Sequence, residues 1–371
     1  MEEELIRDTS LELLAEEEHF VTEFLALLTA GVVEAEYVKE TFKHFAKSRA
    51  ISGIIREHAD EAVEAGDFDV LQSNLRVKSR DFEEKKYACA DTFNLLNIEE
   101  IYTNRNGIKT NIKLIDNIIG GMMNKELSLL LGDANVGKSL LATQCGASAV
   151  KQMRKVLHVG LEMSRARNLI RYYTALADIN DKISYGQIYN FAPEDHVFDY
   201  INRLYEKYEG YLIVEEFPTG KCSIEDLYRL LEKHSGIELL VVDYLDLMKP
   251  VLKREQLRFE LSDLALALRG LASEADIHVM SPTQASKGAK NKRIVGTEYS
   301  AEDYGKFRIA DWAIGIGQNA TDLIKKQVVL SIIRSRNSEK GYAERYVIDF
   351  PTMRFVYMGA EISGGQSADG H

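Results

Sequence analysis

The chain has 371 residues, 45% hydrophobic and 28% charged, enough to bury a sizeable core in two or three folded units. Three distant cysteines (Cys89, Cys145, Cys222) and eight histidines in no ligand-like pairing argue against a disulfide framework or a cysteine-rich zinc site. The net charge of −12 is concentrated at the start: residues 1–100 carry 24 acidic and 11 basic side chains, so any contact with a polyanion has to come from basic loops further on.

The opening MEEELIRDTS has neither a basic nor an apolar signal region, and no apolar run approaches the roughly 20 residues that span a bilayer. The expectation is a cytoplasmic protein with no membrane contact. Residues 1–75 read as a small all-α domain. Leu13, Leu14, Val21, Phe24, Leu25 and Leu28 recur at helical spacing behind Thr9 and Ser10 as caps, a second helix surrounds Val38, Phe42 and Phe45, and a third stops at Gly66. Residues 76–103 are charged and read as a linker helix.

From Asn104 the pattern changes to short apolar runs alternating with helical segments. The runs are LSLLL (127–131), VLHVGL (156–161), YLIVEE (211–216), ELLVVD (238–243), IHVMS (277–281) and VVLSII (328–333). Most are continuous rather than alternating, as expected of strands covered on both faces of a mostly parallel twisted sheet. This α/β domain is expected over 104–358, with a flexible Gly/Ser-rich tail over 359–371.

After LSLLL come Gly132, Asp133, Ala134, Asn135, Val136, Gly137, Lys138, Ser139 and Leu140, matching GxxxxGK[ST] in its required strand–loop–helix setting. Glycines let backbone N–H groups curl around phosphate oxygens, and the following helix adds the positive end of its dipole. Lys138 would reach the β- and γ-phosphates of ATP, and the Ser139 hydroxyl would hold Mg2+. Cleavage needs more: an acid near the metal and a group that activates water. Asp243, ending ELLVVD, is the candidate metal carboxylate. Glu162, ending HVGLE, is a candidate for polarising water, on the expectation that its strand lies beside that of the phosphate loop; the alternative is a cap for the helix starting near Ser164. Gln284, after IHVMSP, is either a γ-phosphate sensor or a loop residue.

Taken together, GDANVGKS, LEMS, VVDYLDLM, a Gln after a β-run and IIRSRN resemble the RecA-like P-loop NTPase motor of DnaB-type hexameric replicative helicases. The wording is closest to the helicases of T-even-type bacteriophages, which share NVGKS, EM and a loop like Pro218-Thr219-Gly220; a phage-encoded chain would work in the host-cell cytoplasm. The resemblance implies that Glu162 is the catalytic base and that Arg334 and Arg336 reach the ATP site of the neighbouring subunit, where Arg stabilises the charge of the phosphoryl transition state. It implies that the loop carrying Lys287, Gly288, Lys290, Lys292 and Arg293 holds the phosphate backbone of single-stranded DNA. It also implies a collar from the N-terminal helices, a hexamer moving 5′ to 3′ and opening fork DNA, and a primase and a helicase loader as partners. A RecA- or KaiC-like recombinase or regulatory ATPase, and an ATP-dependent loader or scaffold, are the alternatives.

Overall fold

The computed structural model describes residues 107–177, 183–190, 196–285, 287–296, 304–336 and 341–361. The expected helices of 1–75, the linker helix of 76–103 and most of the expected tail lie outside the described residues. The strands are β1 (Leu127–Gly132), β2 (Val156–Gly160), β3 (Leu212–Glu216), β4 (Leu239–Asp243), β5 (His278–Gln284), β6 (Trp312–Gly317), β7 (Gln327–Ser335), β8 (Ala343–Asp349) and β9 (Arg354–Glu361). The helices are α1 (Lys138–Lys151), α2 (Arg165–Leu176), α3 (Tyr185–Tyr189), α4 (His196–Tyr208), α5 (Ile224–Lys233), α6 (Leu257–Ala275), α7 (Tyr304–Ile309) and α8 (Ala320–Ile324).

One sheet runs in the order β3-β2-β4-β5-β1-β6-β7-β8-β9. It is parallel from β3 to β6 and antiparallel from β6 to β9. The continuous apolar runs are explained by two cores, one on each face. Leu130, Val156, Val241 and Met280 point into the core shared with α1, α2 and α4, through Leu141, Cys145, Tyr172 and Tyr200. Their neighbours Leu129, Leu131, Leu157, Val242 and Val279 point into the core shared with α5 and α6, through Leu227, Leu264, Leu268 and Leu271. Successive strand residues face opposite ways, so a strand buried on both sides shows no polar alternation. None of the described helices is long and apolar enough to cross a membrane.

Three expectations are corrected. First, β2 does not lie beside β1: β4 and β5 stand between them, and β5 and β6 flank the phosphate-loop strand. Second, β6 is not among the expected strands, because Gly315 and Gly317 look like interruptions. A Cβ at Gly315 would come within 2.2 Å of the Val295 carbonyl oxygen, and one at Gly317 within 2.2 Å of that of Arg293. The glycines mark where the 293–295 backbone crosses close to the sheet. Third, β9 continues to Glu361, so Gly359 and Ala360 belong to the edge strand rather than to a tail.

Candidate active site

The phosphate loop follows β1 directly. Asn135 and Gly137 adopt positive φ (63° and 96°), which turns the chain before α1 starts at Lys138. At Gly132 a Cβ would meet Val136 Cγ2 at 2.6 Å, so the loop closes only over glycine. Val136 and Leu140 are buried beneath it. Lys138 Nζ donates to the carbonyls of Gly132 (2.9 Å) and Asp133 (2.7 Å), which orients the ammonium along the loop. Burial lowers its proton affinity, against the attraction of Asp246, Asp133, Asp243 and Glu162.

A cleft of about 400 Å³ opens over this loop. One wall consists of Ala134, Asn135, Gly137, Lys138, Ser139 and Leu140; Glu162, Met163, Arg171, Tyr244, Gln284, Phe350 and Met353 complete it. Glu162 and Gln284 therefore share the cleft, and Asp243 adjoins it through Ser139, although β2 is not adjacent to β1. Two hydrogen bonds hold the Leu161 segment toward the cleft: Leu161 N donates to the Asp243 carbonyl (2.8 Å) and Thr219 Oγ1 to the Leu161 carbonyl (2.9 Å). The cap alternative for Glu162 is overturned. The α2 N-cap is Ser164, whose Oγ accepts from Arg167 N, while Glu216 accepts from Arg165 N at 2.7 Å. Glu162 is left exposed on the cleft wall.

Asp243 ends β4 and is 2% exposed. Ser139 Oγ donates to its Oδ1 at 3.0 Å. Burial pushes the Asp243 carboxyl up to about 6, with Glu162 adding to the rise and Ser139, Arg171 and Lys138 opposing it. A hydroxyl and a carboxylate oxygen in contact are the donors that Mg2+ accepts from a protein, the rest of its octahedron being phosphate and water. The residues present fit that ion.

Sequence reasoning misses several cleft residues. Arg171 lies on α2, and its guanidinium is attracted by Asp243 and Glu162 while burial lowers its proton affinity. Phe350 and Met353, in the turn between β8 and β9, supply an apolar wall suited to a flat base. Asp246, three residues after Asp243, is not part of the lining but accepts from Thr283 Oγ1 (3.1 Å) and, at 3.2 Å, from the backbone N of Gln284, which is part of it.

Arg334 and Arg336 sit elsewhere. The register pairs Ala313 with Arg334 and Trp312 with Ser335, and Trp312 lies beside Ser128 at the beginning of β1. The arginines thus mark the opposite end of the strands from the phosphate loop, about 16 Å away at roughly 3.3 Å per residue. Arg334 Nε donates to the Ala310 carbonyl (3.0 Å), and Arg336 Nε pairs with Asp311 Oδ1 (3.2 Å). Arg269 holds both Asp311 oxygens at 3.0 and 3.1 Å, and Leu127 N donates to Oδ2 at 2.9 Å.

Beside this cluster Glu126 Oε2 is buried with no hydrogen-bond partner among the described residues. Burial and the Asp311 charge push its carboxyl up to about 7, against Trp312, Arg336 and Arg269. Its folded pKa lies above the unfolded value, so the folded state holds the extra proton and stability is lost as pH rises from about 4.5 to about 7. Glu126→Gln is expected to match the wild type near pH 4 and to exceed it at pH 8 by on the order of 1–3 kcal/mol in denaturant unfolding. Equal stabilities at pH 8 would contradict this.

In the basic loop, Lys287–Ala289 forms a short 3-10 turn, Gly288, Lys290 and Lys292 are exposed, and Ala289 and Val295 are buried anchors. Arg293 differs from the expectation of a DNA-facing side chain. Its guanidinium lies between Asp322 (3.6 Å) and Glu361 (3.4 Å), tying the loop to α8 and β9.

A family model described as DnaB-like helicase C-terminal domain matches residues 107–295, which contain the phosphate loop, Glu162, Asp243, Gln284 and the basic loop. The replicative DNA helicase DnaB of Geobacillus stearothermophilus is 25% identical over 273 residues, covering 71% of this chain and 59% of that protein. DnaB of Buchnera aphidicola subsp. Baizongia pistaciae is 25% identical over 205 residues, covering 54% and 44%. The chain thus spans about three fifths or less of the length of these relatives. Among solved structures, an isolated ATPase domain aligns with a TM-score of 0.60 at 17% identity, covering 71% of this chain and 96% of that one. A DnaB-like replicative helicase, solved in a study of its interactions with primase, aligns with a TM-score of 0.59 at 16% identity, covering 91% and 83%. These two likenesses show the fold. With half of its length matched by the family model, the chain belongs to the family of DnaB-like helicase C-terminal domains.

Proposed function

We propose that the chain is an ATP-driven replicative DNA helicase that cleaves ATP at the seams of a hexameric ring. The observation that carries this reading is the separation of the site into two halves. Lys138, Ser139, Asp243 and Glu162 line or adjoin one cleft, whereas Arg334 and Arg336 lie at the far end of the sheet strands, unable to serve the same cleft. Another protomer's nucleotide is the target left to them.

In this reading the loop N–H groups and Lys138 hold the phosphates, and Phe350 and Met353 pack against the base. Mg2+ held by Ser139 and Asp243 would neutralise phosphate charge. Asp243 would be ionised for that role, and Arg171 beside it favours the ionised form. Glu162 accepts the proton of the attacking water, and Gln284 reports the γ-phosphate to the loop that follows it. Arg334 and Arg336 from the next protomer stabilise the equatorial oxygens of the transferred phosphoryl group. Residues 1–75 are proposed as a collar and 76–103 as a linker helix, with the motor from 104 onward. The motif wording supports a place near the T-even-type phage helicases, a cytoplasmic setting and a primase and loader as partners.

Exposed Lys290 and Lys292, with Lys287, are proposed to track the DNA backbone, while Arg293 anchors the loop. The test is unwinding of a fork with a 5′ single-stranded tail, together with binding of the single strand as a function of salt. Wild type is expected to open the fork with ATP. The Lys287→Ala/Lys290→Ala/Lys292→Ala variant is expected to lose unwinding and to shallow the log–log salt slope by about 2, at roughly 0.7 per lost phosphate contact. Unwinding without a 5′ tail, or an unchanged slope, would contradict the reading.

A further inference from the structure

Lys306 is 2% exposed, an unusual position for an ammonium group. It lies on α7, whose position is fixed by close packing: a Cβ at Gly305 would meet Ser262 Oγ of α6 at 2.2 Å. The Lys306 Nζ stands 3.3 Å from Asp246 Oδ1. The same carboxylate accepts from Thr283 Oγ1 and from Gln284 N at the end of β5. Asp246 therefore holds together the two chain ends between which the basic loop runs, Thr283–Gln284 on one side and Lys306 on the other.

The same group lies near enough to the phosphate loop to act on Lys138. Of the charges near Lys138, Asp246 acts on it most strongly, ahead of Asp133, Asp243 and Glu162. Ala285 N donates to the Gly132 carbonyl at 3.1 Å, so the residue after Gln284 is bonded to the first residue of the phosphate loop. Burying a lysine and a carboxylate costs desolvation that an apolar pair of similar volume would avoid. An ion pair at this junction gives what an apolar pair does not: a directional link whose strength depends on the charge beside it.

We propose that Asp246 and Lys306 are positioning residues that couple the nucleotide cleft to the DNA-binding loop, holding Gln284 and both loop ends in one register with Lys138. The proposal rests on the reading of the 287–293 segment as DNA-binding. Phosphate arriving at Lys138 changes the field at Asp246 and hence its hold on Thr283, Gln284 and Lys306. DNA on the loop acts on the same carboxylate from the other side.

The test uses the full chain and a thymidine homopolymer as the single strand, comparing ATP turnover with and without DNA. In Asp246→Asn and in Lys306→Met the stimulation ratio is expected to fall about ten-fold, the scale of a coupling free energy between two sites. Affinity of Lys306→Met for a non-hydrolysable ATP analogue is expected to stay within about two-fold, since Lys306 is not among the residues that line the cleft. The double variant should be no worse than either single one, since both remove the same link, and Lys306→Arg should restore most of the ratio. Thr283→Val, which removes one contact and no charge, covers the case in which a charge variant does not fold; its ratio is also expected to drop. Unchanged ratios in the folded variants, or independent multiplication of the two losses, would overturn the proposal while leaving DNA binding by the loop intact. A wild type that DNA does not stimulate would overturn both.

Discussion

Glu162→Gln is expected to bind nucleotide as the wild type does and to lose turnover by about 10²–10⁴-fold, the range for removal of a general base. The expectation follows from placement. Glu162 is an exposed carboxylate on the wall of the cleft that holds Lys138, Ser139 and Gln284. The first turn of α2 is satisfied by Ser164 and Glu216, so the amide substitution breaks no cap. Stability should consequently change little, and the loss should fall on the rate rather than on the nucleotide Kd. Gln keeps the shape but cannot take a proton, which separates base catalysis from simple positioning of water. A DNA-stimulated rate within a few-fold of wild type would refute the assignment.

Arg336→Ala is expected to have a comparable or larger effect, on the order of 10³-fold or more, the lower range for an arginine donated to a phosphoryl-transfer site. The side chain is 43% exposed and pairs with Asp311, which keeps Arg269 as a second, bidentate partner when Arg336 is removed. The Asp311 carboxylate is therefore not left uncompensated, and a modest change in thermal stability should accompany the large kinetic loss. Arg336→Lys keeps the charge without the planar fork and is expected to recover little. Turnover close to wild type in Arg336→Ala would remove the arginine from the reaction and leave it a structural partner of Asp311.

The parts of the site that are legible in sequence are the contiguous ones. A phosphate loop requires Gly132, Gly137, Lys138 and Ser139 in close succession between a strand and a helix, so the motif carries its own geometry. Asp243 and Glu162 are readable because a polar residue at the end of an apolar run emerges at the strand's C-terminal end. Adjacency of the Glu162 strand to β1, the reason that pattern alone suggests, is incorrect: strand order depends on how crossovers wind, and nothing local in VLHVG records that β4 and β5 intervene. Arg171 escapes a sequence reading because it contributes from within a helix, among other arginines. Phe350 and Met353 reach the cleft only because β8 and β9 form a hairpin on the far side of β7.

Lys306 and Arg293 illustrate the opposite case, in which sequence shows charge and the fold decides its use. Both lie in or just after a basic stretch that reads as a uniform polyanion-binding loop. In the fold Arg293 is taken up by Asp322 and Glu361, and Lys306 is buried against Asp246. Their partners are distant in sequence: the β6 glycines let the 293–295 backbone lie close to the sheet, and Lys306 meets Asp246 from 60 residues away. Lys290 and Lys292 stay on the surface of the same loop.

The claim on which the account depends is that one protomer completes the nucleotide pocket of another. Lys138→Ala removes the phosphate-binding half and Arg336→Ala the far half, and neither variant alone should turn over ATP. The decisive measurement is ATP turnover of the two variants mixed at equal amounts and allowed to exchange subunits. Partial recovery is predicted, since some seams then join an intact Lys138 cleft to an intact Arg336. Mixtures that exchange subunits and stay as inactive as the separate variants would contradict it.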